Sequence, residues 1–171
     1  KSVCVHGETN LSNTDAGGTW GSSATGTATI NSAGVVTGVA AGNTTITYTL
    51  ATGCRRTATV SVNALPLPIS GTATVCEGSM TTLYNFSSGG TWESGAPGTA
   101  SVSGTGDVTG VNAGLANITY TLPTGCARTQ VVTVNALPSA ISGTAQVCVG
   151  QNTYLSNSMG GGTLASSAPG V

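Results

Sequence analysis

The amino-acid sequence predicts an all-β chain of tandem β-sandwiches that repeat with a period of 72 and stand end to end. Three observations predict it: an ungapped internal repeat, short alternating segments punctuated by glycine, and a composition rich in Thr and Gly. Cys4, Cys76 and Cys148 recur at a constant spacing of 72, as do Cys54 and Cys126, and Trp20 and Trp92, with Leu164 at the third Trp position. Residues 1–72 laid on 73–144 give 41 identities without a gap, and 145–171 match the start of the second copy at 14 of 27 positions. A fixed period of this kind marks a repeat architecture, in which each unit is one packed module. The predicted spans are 1–68 for repeat 1, with its first strand truncated, 69–140 for repeat 2, and 141–171 for the N-terminal part of repeat 3. Both ends fall inside a repeat, so the expectation is a window on a longer array. The alternative is a subunit whose third repeat is completed by a neighbouring chain, as in strand-donating assemblies.

Within repeat 2, alternating segments are separated by Gly-rich turns at intervals of roughly 8 to 12 residues, the spacing of a β-sandwich. The expected strands are 72–75, 81–86, 90–93, 99–103, 108–111, 117–122 and 129–134. In 118–122, Ile-Thr-Tyr-Thr-Leu, apolar side chains share one face and threonines the other, which separates core from solvent. Residues 104–107 and 122–125 read as hairpin turns in which glycine supplies a positive φ. The connectors at 63–68 and 135–140 carry proline, which cannot donate to a ladder, so they are short stiff links between repeats.

Composition excludes more than any motif proposes. The chain has four Lys or Arg, five Asp or Glu and a net charge of -1; charged residues are 5% of it, against roughly 25% in ordinary soluble domains. No basic surface exists to neutralise phosphates, so neither nucleic acid nor an anionic membrane is an expected partner. With 39% apolar residues and mean hydropathy of +0.21, the chain is predicted to fold. Polarity comes instead from 30 Thr and 19 Ser. No run approaches the roughly 18 apolar residues of a membrane span, and the N-terminal KSVCVHGETN lacks the apolar core of a signal peptide.

A module of that size buries only about 60% of its unfolded surface, so a cross-link is a useful supplement. Cys4 and Cys54 are separated in sequence by the same interval as Cys76 and Cys126, at matching repeat positions beside the first and last strands. Those strands are neighbours in a sandwich, so each pair is expected to form a disulfide within its repeat, worth about 4 kcal/mol for a loop of that length. Cys148 is left unpaired in this segment, its expected partner position lying beyond residue 171. The alternative is five buried free thiols. Zinc is disfavoured, because there is no C-x-x-C and the single histidine, His6, has Gly78 as its repeat equivalent. Disulfides would place the chain in an oxidising compartment.

No catalytic, cofactor or metal site is expected. His6 has no recurring Ser or Asp partner. The acids Glu8, Asp15, Glu77, Glu93 and Asp107 never adopt a calcium-loop spacing, and the glycines at 104–110 have no helix after them to cradle a phosphate. Trp20, Trp92, Tyr48 and Tyr120 are expected in the core, the tryptophans on a central strand rather than as sugar-stacking platforms. Arg56 and Arg128 recur at one repeat position and are candidates for contact between repeats, against the plainer reading of solvated strand residues. Asn10, Asn43, Asn85 and Asn117 match N-x-[ST], a cheap match in so Ser/Thr-rich a chain.

The run GGTW (89–92), GTASVSGTGDVTGVNAG (98–114), NITYT (117–121) and VVTVN (131–135) resembles the bacterial Ig-like domain, group 2. The first copy matches it too, through GGTWGSS (17–23), TATINSAGVVTGVAAG (27–42) and TTITYT (44–49). The cysteine pair, Leu164 and the low charge depart from the family pattern. The resemblance implies an Ig-like β-sandwich and an array on a bacterial surface or secreted protein, hence an extracellular or cell-surface location. The expected role is structural and non-enzymatic: the shaft of an adhesin or an extracellular filament, with a cystine limiting extension. A surface with so little charge meets little like-charge repulsion, so the chain itself is the first expected partner. The alternatives are a module for a carbohydrate or cell-surface receptor, for which Tyr84 is the candidate because Ser12 and Ser156 stand at its equivalents, and a spacer of a secreted multidomain enzyme.

Overall fold

The computed structural model describes residues 1–168; the end of the predicted third span, 169–171, lies outside the described residues. Repeat 1 contains β1 (Ser2–Cys4), β2 (Glu8–Asn10), β3 (Thr19–Ser22), β4 (Ala28–Ile30), β5 (Val35–Gly38), β6 (Gly42–Thr49) and β7 (Arg55–Asn63). Repeat 2 contains β8 (Ser70–Gly71), β9 (Thr74–Cys76), β10 (Met80–Tyr84), β11 (Thr91–Ser94), β12 (Ala100–Val102), β13 (Asp107–Gly110), β14 (Gly114–Thr121) and β15 (Ala127–Asn135). Two short strands follow, β16 (Ser142–Gly143) and β17 (Leu155–Ser156). The described residues contain no helix, and so none long and apolar enough to cross a membrane.

Each repeat is a sandwich of two sheets. In repeat 1 the orders are β1-β7-β6-β3 and β2-β5-β4; in repeat 2 they are β9-β15-β14-β11 and β8-β10-β13-β12. The first strand of repeat 2 thus switches sheets, β8 pairing with β10 and β9 with β15. All named pairings are antiparallel except two: β1 runs parallel to β7 and β9 parallel to β15. That exception decides where the cysteines sit.

The alternating threonines face outward and the intervening residues form the cores. Val75, Leu83, Ala100, Val108, Ala116, Ile118, Val132 and Val134 pack in repeat 2; Val3, Ala28, Val36, Ile46, Val60 and Val62 pack in repeat 1. The equivalent of Ala116 in repeat 1 is Thr44, a buried hydroxyl within 3.1 Å of Ser22 Oγ and 3.3 Å of Ser23 Oγ. Burying that hydroxyl is tolerable because it is hydrogen-bonded.

Trp20 and Trp92 are half-buried and pack against these cores, but from edge strands rather than the central strand expected of them. Each lies opposite a buried tyrosine: Trp20 on Tyr48 at 4.6 Å and Trp92 on Tyr120 at 4.8 Å between ring centroids. The Tyr120 hydroxyl donates to the Ser87 carbonyl (2.6 Å) and accepts from the Gly90 N–H (2.9 Å); Tyr48 does the same with Asp15 and Gly18. This explains the glycine before Thr-Trp in both copies. A Cβ at Gly90 would stand 2.5 Å from the Tyr120 ring and 2.8 Å from the Thr121 carbonyl oxygen.

The turn at 103–107 differs between copies. Asp107 accepts from Thr82 (2.8 Å), Thr105 (2.7 Å) and Ser103 (3.3 Å), whereas Val35 is its counterpart. The Thr105 hydroxyl, then those of Thr82 and Ser103, hold its carboxyl below the usual carboxylate range. A depressed folded-state pKa gives stability that is present above the unfolded value and lost as pH falls through the folded one. Asp107→Asn is therefore expected to lower the urea midpoint of repeat 2 at neutral pH, with the difference from the parent closing in acid below the carboxylate range. A deficit that persisted undiminished in strong acid would refute this assignment.

Candidate functional site, the joint between repeats

The structure brings together residues that the sequence reading kept apart. Register places Cys4 opposite Asn63, where the parallel strands β1 and β7 both end; Cys54 lies just before β7 begins. The whole length of β7, about 30 Å at roughly 3.3 Å per residue, separates those levels, whereas a disulfide needs Cα atoms within about 7 Å. The intra-repeat pairing Cys4–Cys54 is thus replaced by a bond across the joint, Cys4–Cys126, with Cα atoms 5.6 Å apart at a sequence separation of 122. Cys76 and Cys126 are parted for the same reason: Cys76 is level with Asn135 at the far end of β15. Cys54, Cys76 and Cys148 are exposed free thiols.

Around this cystine the connector is gripped by the upper end of repeat 2. Pro66 is fully buried, and its carbonyl accepts from Arg128 Nε at 2.7 Å. Asn85 Nδ2 donates to the Leu67 carbonyl at 2.5 Å, and the Leu67 N–H donates to Ser87 Oγ at 2.8 Å. Ser87 is held in turn by the Tyr120 hydroxyl, so the clamp is continuous with the aromatic pair of the core. Cys126 is 1% exposed. Desolvation of the sulfur and fixed donors around a proline-stiffened link leave the joint few ways to bend.

The same parts recur at the upper end of repeat 1, and one of them recurs after repeat 2. At the upper end of repeat 1, Asn13, Asp15, Tyr48, Cys54 and Arg56 line an open cavity of about 110 Å³. Their equivalents in repeat 2 are Asn85, Ser87, Tyr120, Cys126 and Arg128, the residues that hold the connector and Cys4. After repeat 2, Asn157 Nδ2 donates to the Ser139 carbonyl as Asn85 does to Leu67, and the Leu137 N–H donates to Glu77 beside Cys76 (3.4 Å).

The remaining candidates stay apart. His6 is in a turn with φ of 63° where repeat 2 has Gly78 at 74°, and its N–H donates to the Gly38 carbonyl. Leu164 is exposed and lines a cavity of about 720 Å³ against the 136–141 connector. Among the described residues no three His, Cys, Asp or Glu side chains converge as metal ligands. Spacing alone could not reveal the cystine. The available signal was position within strands: Cys4 trails its strand and Cys54 leads its own, which in parallel neighbours means opposite ends.

A search of curated proteins finds no match. Among solved structures, the chain is similar to surface layer protein SbsC domains 1-6 (21% identity, TM-score 0.32, 75% of this chain and 21% of that one). It is also similar to the C-terminal 282-residue fragment of intimin in complex with the intimin-binding domain of its translocated receptor (16%, 0.40, 71% and 54%) and to invasin, a bacterial integrin-binding protein (16%, 0.40, 64% and 28%). The chain therefore spans about a fifth to a half of these structures. The sequence profile of the bacterial Ig-like domain, group 2, matches residues 3–65 and 77–134. With most of both repeats matched, each folded as a two-sheet sandwich, the chain belongs to the bacterial Ig-like domain (group 2) family.

Proposed function

We propose that this chain is a structural, non-enzymatic extracellular segment that forms the shaft of a bacterial surface adhesin or a self-associating filament. The observation that carries this reading is the joint: a cystine buried at its Cys126 half and a clamped proline connector hold one sandwich on the next and make a stiff rod from small modules. A cystine also suits an oxidising, extracellular compartment. The near absence of charge favours the filament version, since lateral packing of Thr- and Ser-rich faces meets little electrostatic opposition. Light scattering over a concentration series tests it. Association that changes little between low and high salt is the expected result, and a monomer at the highest concentration overturns the filament version.

One observation favours a second reading, a binding module for a carbohydrate or cell-surface receptor. Tyr84 is 53% exposed on β10, with Met80 on the same face of that strand and Phe86 two residues past its end, both also exposed. Repeat 1 has Glu8, Ser12 and Thr14 at these positions, so this apolar strip belongs to repeat 2 alone among the two complete copies. Specific glycan-array binding that is lost in Tyr84→Ser would establish that reading in place of the first.

A further inference from the structure

We propose that Cys54 and Cys76 belong to two further inter-repeat disulfides of the Cys4–Cys126 kind, each cysteine made to bond a different neighbouring repeat. Cys76 is directed to the cysteine at the Cys126 position of the repeat that follows it, and Cys54 to the cysteine at the Cys4 position of a repeat that precedes it.

Three independent features support this. First, Cys76 occupies the place in repeat 2 that Cys4 occupies in repeat 1: each ends a first strand that runs parallel to the last, level with Asn135 or Asn63, where the connector leaves. Second, the receiving surface exists around Cys54. Asn13 Oδ1 accepts from the Asp15 N–H at 2.8 Å, and the Tyr48 hydroxyl donates to the Asp15 carbonyl at 2.7 Å. These repeat the Asn85, Ser87 and Tyr120 arrangement that seats the connector. Arg56 stands where Arg128 grips Pro66, and the enclosed space is an open cavity with Cys54 in its wall. Third, the connector after repeat 2 is already gripped, by Asn157 on Ser139 and by Glu77 on Leu137. The Asn157 contact is the repeat equivalent of the one by which Asn85 seats repeat 2 beneath Cys4, and Glu77 adds a grip that the first joint lacks.

Each repeat in such an array sends one cysteine up and the other down, and no bond closes within a module. Forming each bond removes two protons and two electrons from two thiols. A small-molecule disulfide such as oxidised glutathione takes them up by exchange and leaves as two thiols.

The test lengthens the chain with its own sequence. In one protein, a copy of residues 100–144 follows Val171 and completes the third repeat. In another, a copy of residues 1–72 precedes Lys1. Both are oxidised with glutathione, alkylated without reduction and mapped by mass spectrometry beside the parent chain. The parent is expected to show Cys4–Cys126 and three alkylated thiols, Cys54, Cys76 and Cys148. The first extension should protect Cys76 and link its peptide to that of the added copy of Cys126. The second should protect Cys54 and link it to the added copy of Cys4. Circular dichroism shows whether each added module has folded, and the two extensions fail or succeed separately. Cys76 or Cys54 still fully alkylated beside a folded added module, or a recovered Cys4–Cys54 or Cys76–Cys126 peptide, overturns the proposal. Because the readout is connectivity, it is separable from whether the chain forms filaments.

Discussion

Cys126→Ser is expected to lower the stability of the two-repeat unit by up to about 5 kcal/mol, while Cys54→Ser leaves it unchanged. The magnitude follows from loop length: closing a loop with a sequence separation of 122 restricts the unfolded ensemble by about 5 kcal/mol on the chain-entropy account. Small domains are stable by only about 5–15 kcal/mol, so the loss is a large fraction of the whole. Native geometry adds a smaller cost, because Cys126 is buried against the connector and serine would carry a hydroxyl into that place. Urea titrations followed by Trp20 and Trp92 fluorescence measure both variants, with reductant giving the loop-closure part of that loss in the parent. The contrast between the two cysteines is diagnostic. Were the disulfides closed within repeats, Cys54→Ser would be as damaging as Cys126→Ser.

Ile118→Ala should destabilise repeat 2 by about 2–5 kcal/mol, the range for removing a large aliphatic side chain from a packed core. Ile118 is fully buried at the centre of β14, between the β11 and β15 partners Ser94 and Gln130. A core of eight buried residues has little redundancy to relax into the gap. With Trp20→Phe as background, Trp92 alone reports on repeat 2, and its transition should move to lower urea. Ile46→Ala, with Trp92→Phe as background, is the matching experiment in repeat 1. A shift below about 1 kcal/mol in either repeat would show that the site collapses or was not packed.

The elements were legible because they obey local rules. The Ile-Thr-Tyr-Thr alternation that begins at Ile118 sits within β14, and all seven expected strands of repeat 2 overlap observed ones. β14 begins earlier than expected, at Gly114, because its pairing with β15 continues to Val134 past the point where alternation is visible. The tryptophans pack half-buried from an edge strand rather than the central strand expected, since half-burial on an edge and full burial at a centre leave the same pattern. The cystine was hidden for a deeper reason. That the first and last strands adjoin is implied by the sandwich, but whether they run parallel is a property of the crossover between sheets. That direction converts a short intra-repeat distance into one of about 30 Å. Pro66 marked the connector but not its burial, and the clamp residues Asn85 and Ser87 carried no signal of that role, because each is an ordinary loop residue until the next module is placed against it.

The Cys4–Cys126 bond and the backbone together enclose in one covalent ring the first sandwich from Cys4 onward and every strand of the second except β15. A protease that cuts a single exposed turn anywhere between those residues opens the ring without releasing a fragment. The Gly-bearing tips at 31–34, 50–53, 103–106 and 122–125 can each be nicked singly with the chain still in one piece. Release of a fragment from this ring requires two cuts within it, a much rarer event than one.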